Sequence, residues 1–246
     1  MGLEDHGSTV PVIVMVKGTQ PHMAMQKRDT TAWGTVARNE PRWPATVAVI
    51  AAISLYLALP SRFIFGPPIA LPILEAILII PLSIVAPHRR VNETRWQRWA
   101  AIALIAIINI ANVASLVLLI DRLINGGKIV GTNILIAAFE IWLTNIIVFA
   151  LWYWELDRGG PDDRSMPGHR QPDFLFPQMV TPECTTERWS PAFLDYLFVA
   201  FTNATAFSPT DTMPLTPMAK TLMMLQALAS LITVALVAAR AVNILT

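Results

Sequence analysis

The sequence predicts an all-α integral membrane protein with four transmembrane helices, then a re-entrant, pore-type helix and hairpin, then a fifth transmembrane helix. Hydrophobic residues make up 54% of the chain and charged residues 14%, and the mean hydropathy is +0.51. Soluble domains carry about 25% charged residues, so this composition is suited to lipid. Near the C-terminus, one apolar run is too short to cross a bilayer, which takes about 20 residues.

The chain divides by composition into four regions. A polar, mildly basic arm covers residues 1–42, and the first four spans lie within residues 43–155. Residues 156–190 form a polar loop rich in proline and glycine, a composition that does not favour a long helix. Residues 191–246 contain the short helix, the hairpin and the last span.

Turn-forming and charged residues separate the first four spans, which we place at residues 44–63, 69–86, 99–120 and 132–154. Pro44 suits the first turn of a helix, where its missing N–H costs nothing. In the third span, Asn109, Asn112 and Ser115 recur every three positions and therefore share one face. We expect that face to pack against protein through interhelical hydrogen bonds.

The chain lacks the motifs of common enzymes and metal sites. Cys184 is the single cysteine, the four histidines are scattered, and there is no Cys/His cluster. The sequence contains no nucleotide-binding loop, no His-Glu-x-x-His motif and no Gly-x-Ser-x-Gly motif. We therefore expect no metal, no cofactor and no enzymatic activity. The net charge of +1 does not favour nucleic acid as a partner.

The short apolar run covers residues 191–206 and is followed by a polar stretch, Phe207-Ser208-Pro209-Thr210-Asp211-Thr212-Met213-Pro214. Irregular backbone at membrane depth persists only where protein or water covers it. We therefore predict that residues 191–214 enter the membrane, turn, and return to the side from which they came.

Basic residues predict the orientation of the chain. The arm and the loops at 88–98 and 155–190 together hold thirteen Lys and Arg residues, against three on the opposite side. By the positive-inside rule, the N-terminus and the 156–190 loop are cytoplasmic. Six tryptophans fall at the same interface, as expected for an aromatic belt: Trp43, Trp96, Trp99, Trp152, Trp154 and Trp189.

Three ionisable residues lie inside predicted spans: Glu75, Glu140 and Arg240. Such residues are costly in lipid and are usually paired or functional. With a rise of about 1.5 Å per residue, all three lie about 9–12 Å from the outer ends of their spans. We therefore predict an intramembrane charge cluster of these residues. It either fixes the last helix to the bundle or responds to protons or cations.

Asp211-Thr212-Met213-Pro214 has the pattern Asp-x-x-Pro, and residues 206–210 come directly before it. With these motifs, residues 191–246 resemble the pore helix, filter and inner helix of tetrameric potassium-type channels. Both filter glycines of that family are absent, because Ser208 and Thr210 stand in their places. Entry from the cytoplasmic side resembles the inverted pore loop of ionotropic glutamate receptors.

A second resemblance covers more of the chain. The run Tyr196-Leu197-Phe198-Val199-Ala200-Phe201-Thr202, the residues from Ser208 to Asp211, and the ending Ala241-Val242-Asn243-Ile244-Leu245 carry it. They are similar to a family of bacterial multi-pass membrane proteins of unknown function. This resemblance implies a location in the bacterial inner membrane and implies no activity.

Two functions fit these features. In the first, the chain is a pore-loop, channel-like protein that conducts small ions through an oligomer, a tetramer if it follows the potassium-channel pattern. The residues predicted to line that path are Thr202, Asn203, Thr205, Ser208, Pro209, Thr210, Asp211 and Thr212. In the second, the protein does not conduct, and its re-entrant hairpin is structural or binds lipid or a partner. The lipid bilayer is a partner in both.

Overall fold

The computed structural model describes residues 40–64, 95–125, 131–166, 170–181, 189–205 and 211–245. In these ranges the longer helices are α1 (Trp43–Ala58), α2 (Arg95–Asn125), α3 (Gly131–Leu156), α4 (Phe193–Thr205) and α5 (Pro217–Leu245). Shorter elements are the 3-10 turns Ser61–Phe63 and Asp157–Gly159, the four-residue helices Pro161–Arg164 and Pro177–Val180, and the strands β1 (Phe174–Leu175) and β2 (Met213–Pro214).

Three helices, α2, α3 and α5, are long and apolar enough to cross a membrane. The chain is therefore a multi-pass integral membrane protein. These helices coincide with the predicted third, fourth and last spans. Helix α1 is apolar but has only 16 residues, and it ends before the predicted limit at residue 63. The predicted second span, at residues 69–86, lies outside the described residues.

Helix α3 is the central helix, because it packs against α1, α2, α4 and α5. Of the most apolar stretch of α3, 67% is buried inside the protein, against 39% for the corresponding stretch of α2 and 17% for that of α5. On α1, the buried side chains include Ala45, Ala48 and Ala52. Small side chains of this kind let helix backbones approach closely, which is how membrane helices gain packing contacts.

The buried apolar side chains form two clusters. The first combines residues of all five longer helices with Phe174, Phe176 and Met179 from the polar loop. The second lies further along the bundle and includes Phe63, Leu119 and residues of the first half of α3. The polar loop therefore contributes side chains to the core. We call the end of the bundle where this loop lies the loop end.

The starts of three helices lie at the loop end. Arg42, just before α1, pairs with Asp162 at 3.2 Å, and Arg98 in the first turn of α2 pairs with Asp163 at 3.3 Å. At the start of α5, the backbone N–H of Leu215 donates to the carbonyl of Asp173 at 2.8 Å. The described parts of the three basic regions thus share one end of the bundle. That this end is cytoplasmic stays a prediction.

The two strands connect the polar loop to the chain that follows α4. Phe174 pairs with Pro214 and Leu175 with Met213, in an antiparallel bridge. Helix α4 begins next to the same loop, since Tyr196 contacts Phe174 and Phe176 through its ring. The chain therefore leaves the loop end in α4 and is back at the loop end by β2.

The tryptophans predicted as one aromatic belt occupy two environments. Trp43, Trp96 and Trp99 are exposed on the outside of the bundle, as an interfacial belt requires. Trp154 is only 4% exposed, and its indole N–H donates to a carboxylate oxygen of Glu40 at 2.7 Å. This tryptophan is a core residue, which its position near a helix end did not indicate.

Candidate functional site

Helix α4 carries the first of the residues predicted to line a pore. It has 13 residues and is therefore about 20 Å long, short of the roughly 30 Å hydrocarbon core. At its start, the carboxylate of Asp195 accepts a hydrogen bond from the backbone N–H of Ala192 at 2.7 Å. Burial raises the pKa of Asp195, and this bond opposes the increase. The bond also satisfies a backbone donor that the helix start leaves free.

The two faces of α4 differ in chemistry. The face turned to α3 and α5 buries Tyr196, Val199 and Ala200. The opposite face exposes Leu194, Phe198 and Phe201, which follow one another at spacings of four and three residues. Residues at that spacing form one stripe along a helix. The outward surface of α4 is therefore an apolar stripe.

A polar network on the inner face of α4 joins it to α5. The amide of Asn203 donates to the side-chain oxygen of Gln226 at 2.8 Å and to the carbonyl of Met223 at 2.9 Å. The amide nitrogen of Gln226 donates in return to the carbonyl of Ala200 at 2.8 Å. Gln226 is completely buried, so these hydrogen bonds take the place of the hydrogen bonds to water that its side chain would make in solvent.

The same network continues into α3. The hydroxyl of Tyr153 donates to the side-chain oxygen of Gln226 at 2.5 Å. The amide of Asn145 donates to the hydroxyl of Ser230 at 2.9 Å and to the carbonyl of Gln226 at 3.3 Å. We call Asn145, Tyr153, Asn203, Gln226 and Ser230 the inner network. It connects three helices through groups that would each cost about 1–3 kcal/mol if buried without a partner.

A second network, which we call the loop-end network, centres on the buried carboxylate of Asp157. One oxygen accepts the hydroxyl of Tyr196 at 2.6 Å, and the other accepts the backbone N–H of Asp173 at 2.8 Å. The guanidinium of Arg158 lies 3.5 Å away. Burial raises the pKa of Tyr196 well above its usual value, so this phenol remains a donor. Asp157 thereby fixes the start of α4 against the loop.

Arg164 supplies the other half of the loop-end network and is fully buried. Its guanidinium donates to both carboxylate oxygens of Glu40, at 3.1 and 3.3 Å, and to the carbonyl of Trp154 at 2.6 Å. Its planar face lies 5.3 Å from the ring centre of Tyr196. A buried guanidinium is stable only with such charge-assisted bonds. These bonds hold the segment before α1, the end of α3 and the start of α4 together.

Asp173 extends this arrangement to the start of α5. Its carboxylate accepts the backbone N–H of Arg158 at 2.9 Å and the hydroxyl of Thr216 at 2.7 Å. The same hydroxyl accepts the N–H of Ala219 at 3.3 Å, which satisfies a free donor of the first turn of α5. Arg158 has a positive φ of 55°, a conformation that its bond to Asp173 helps to hold.

The structure places five of the eight predicted pore-lining residues. The hydroxyl of Thr202 donates to the carbonyl of Phe198 at 2.9 Å, and that of Thr205 to the carbonyl of Thr202 at 3.0 Å. Asn203 belongs to the inner network, Thr212 is buried, and Asp211 is exposed. The other three, Ser208, Pro209 and Thr210, lie outside the described residues. A pore lined by these side chains stays a prediction.

Two of the three residues of the predicted intramembrane charge cluster, Glu140 and Arg240, are described, whereas Glu75 lies outside the described residues. The ion pairs formed within the described ranges do not include one between Glu140 and Arg240. The Oε2 atom of Glu140 and the Nε atom of Arg240 are buried without a hydrogen-bond partner there. Because Asn145 is hydrogen-bonded to Ser230, Glu140 lies at the level of about residue 235 of α5. Arg240 lies roughly 7 Å further along the axis of α5.

Sequence analysis missed most of both networks. Gln226, Ser230 and Thr233 follow one another at spacings of four and three residues, so they share one face of an otherwise apolar helix. That pattern was a usable signal for the inner network. Asp157 and Arg164 gave no comparable signal, because charged residues in a polar loop are usually solvated.

Comparisons of the chain with protein-family models, with characterised proteins and with solved structures gave no match. Both resemblances described from the sequence therefore stay predictions.

Proposed function

We propose that this chain is a non-conducting, multi-pass membrane protein in which α4 is a re-entrant, structural helix. The observation that carries the proposal is the inner network: Asn203, the amide side chain near the end of α4, is bonded to Gln226 and Met223 of the same chain. A side chain used in this way fixes a helix to its own bundle. This supports the second of the two functions inferred from the sequence.

The outward face of α4 also fits this proposal. Leu194, Phe198 and Phe201 form an apolar stripe, which suits acyl chains better than ions. An ion path needs oxygen atoms that can replace part of the water shell of the ion. The hydroxyls of Thr202 and Thr205 instead donate to carbonyls of α4 itself. The proposed role of the stripe is contact with lipid.

Hydrogen bonds near the start of α4 and at the point where the chain returns support a re-entrant position. Irregular backbone is stable at membrane depth only where protein covers it. At the loop end, Asp157 accepts two backbone N–H groups of the loop, and Asp173 accepts one more. The bridge between β1 and β2 satisfies further backbone groups where the chain returns. These contacts give a helix of 13 residues a protein-lined position that does not require it to span lipid.

The conducting function is a second candidate, and one observation favours it. The chain returns to the loop end at Met213, and Asp211 just before it is exposed. A carboxylate beside a return point is a candidate for a ring of charge in an oligomer, as in cation channels. In this alternative the path runs past Asp211 and not along α4.

Cation flux in proteoliposomes separates the two candidates. Wild-type protein is reconstituted into vesicles with an entrapped potassium- or sodium-sensitive dye, and its mass in detergent is measured by light scattering. We expect flux no greater than that of protein-free vesicles. A flux that Asp211→Asn abolishes would establish conduction, provided that Asp121→Asn, at the exposed end of α2, leaves it unchanged.

A further inference from the structure

A recess lined by both polar and apolar side chains lies between α1, α2 and α3, away from both networks. The space in it that a water-sized particle can occupy is about 10 Å³. Tyr56 of α1, Asn112 and Ser115 of α2, and Glu140 and Thr144 of α3 line it, together with apolar side chains such as Ile108 and Ile141. The paired positions on α2 are three residues apart and those on α3 four apart, so each pair lies on one helix face.

Two of its oxygen atoms have no partner within the described part of the chain. Ser115 is only 1% exposed, and its hydroxyl oxygen makes no hydrogen bond there. The Oε2 atom of Glu140 is also buried and makes no hydrogen bond in the described part of the chain. A buried polar group without a partner costs about 1–3 kcal/mol, and a buried carboxylate more. Both residues line one recess, which is where a ligand shared by the two side chains would lie.

We propose that this recess binds one small monovalent metal cation of the sodium type, with the Glu140 carboxylate as its counter-charge. Hydroxyl, amide and carboxylate oxygens are the ligands that hard cations prefer. The recess brings together one carboxylate with the neutral oxygens of Asn112, Ser115 and Thr144. One negative charge balances one positive charge, and an unbalanced charge is costly in a low-dielectric interior.

The charge count decides against a divalent ion. Within the described ranges no three or more acidic, histidine or cysteine side chains form a group that could hold a metal ion, so a site with several anionic ligands, which a divalent ion favours, is not found there. Among the described residues that line the recess, Tyr56 is the other titratable side chain, and the described part of α2 contributes no charged residue to it. The space of about 10 Å³ is about what one water-sized particle needs. A cation in the recess is therefore held mainly by oxygen atoms of the protein.

Thermal stability tests the proposal directly. Purified protein in nanodiscs is heated in sodium chloride and in N-methyl-D-glucamine chloride, at equal ionic strength and constant pH. Sodium is expected to raise the Tm of the wild type in a saturable way, because a ligand that binds only the folded state stabilises it. Equilibrium binding of radioactive sodium provides a second measurement, with one ion expected per chain.

Variants of the recess identify the ligands. Glu140→Gln is expected to remove the sodium-dependent rise in Tm, and Ser115→Ala to raise the half-saturating sodium concentration by about tenfold. Asp121→Asn, an acidic residue exposed on α2, is the matched control and should respond like the wild type. If Glu140→Gln does not fold, Ser115→Ala and Thr144→Ala carry the test through radioactive sodium binding.

Several outcomes would overturn the proposal. One is a wild-type Tm that does not change with sodium, and another is a Tm that depends on pH alone, which would indicate a protonated Glu140. A sodium response that Glu140→Gln retains would place the ion elsewhere. None of these outcomes depends on α4, so this proposal and the proposed function fail separately.

Discussion

The loop-end network and the recess both bury polar side chains, yet they differ in how those side chains are satisfied. At the loop end, the carboxylate of Asp157 accepts bonds at both oxygens, and Arg164 donates to Glu40 and to two carbonyls. In the recess, Ser115 and Glu140 each bury an oxygen without a partner in the described ranges. Buried polar groups with hydrogen-bond partners stabilise a fold, whereas those without partners are candidates for binding water or an ion.

Replacing Arg164 gives the largest expected effect. Arg164→Leu leaves the Glu40 carboxylate without its cation and removes the donor to the Trp154 carbonyl. Breaking one side of a buried ion pair costs about 3–5 kcal/mol. Unfolding in mixed micelles of sodium dodecyl sulfate and a non-ionic detergent measures the loss. Arg122→Leu, exposed at the end of α2, should stay within about 0.5 kcal/mol of the wild type. Equal losses in both variants would contradict a special role for the loop end.

Replacing Gln226 tests the inner network. Gln226→Leu removes the acceptor of Tyr153 and Asn203, and we expect a loss of about 2 kcal/mol in the free energy of unfolding. The double variant Gln226→Leu/Asn203→Leu should lose less than the sum of the single variants, because it leaves fewer groups unpartnered. Leu228→Ala, on the exposed side of α5, is the control. Strict additivity would show that the two amides do not act together.

Tyr196→Phe removes one bond of the loop-end network and should cost about 1.5 kcal/mol. It should also change the response to alkali. The folded state raises the pKa of Tyr196 above the unfolded value of about 10, so its stabilising effect is complete below that pH and is lost as the pH rises beyond it. Between about pH 8 and 11, the free energy of unfolding should therefore fall less steeply with pH in the variant than in the wild type. Parallel curves would contradict this assignment.

Replacing Ser115 gives the smallest expected effect and tests the recess most directly. Its hydroxyl oxygen has no partner in the described part of the chain, so Ser115→Ala removes no bond observed there. In sodium-free buffer we expect the free energy of unfolding to stay the same or rise by up to about 1 kcal/mol. Thr202→Ala is a suitable contrast, since its hydroxyl donates to the carbonyl of Phe198. A loss of more than 1 kcal/mol at Ser115 would show a structural role for this hydroxyl.

The sequence was sufficient for the parts of the fold that depend on local composition. Hydropathy alone located α2, α3 and α5, since a long apolar run is stable in lipid only as a helix. The short helix near Pro191 was also predicted, and the structure ends it at Thr205. Helix α1 is shorter than predicted, because Leu59 and Pro60 leave the helical conformation.

Long-range contacts explain what the sequence did not indicate. Phe174 and Phe176 lie in a segment that reads as a polar loop, yet both are buried against Tyr196. Arg164 donates hydrogen bonds to Glu40, which is more than a hundred residues away in the sequence. In the third predicted span, the polar face packs inward as expected. Its hydroxyl at Ser115 nevertheless borders a recess and makes no hydrogen bond to the described part of α3.

The bond between Asn203 and Gln226 has a consequence for how the chain is made. Asn203 leaves the ribosome before its partner does, so during synthesis α4 emerges with an unpartnered amide and a length too short for a stable transmembrane orientation. Only when α5 has followed it can the inner face of α4 be fully satisfied. Helix α5, which is translated after α4, thus completes the position of the helix before it, and a nascent chain that stops short of Gln226 leaves the Asn203 amide without this partner.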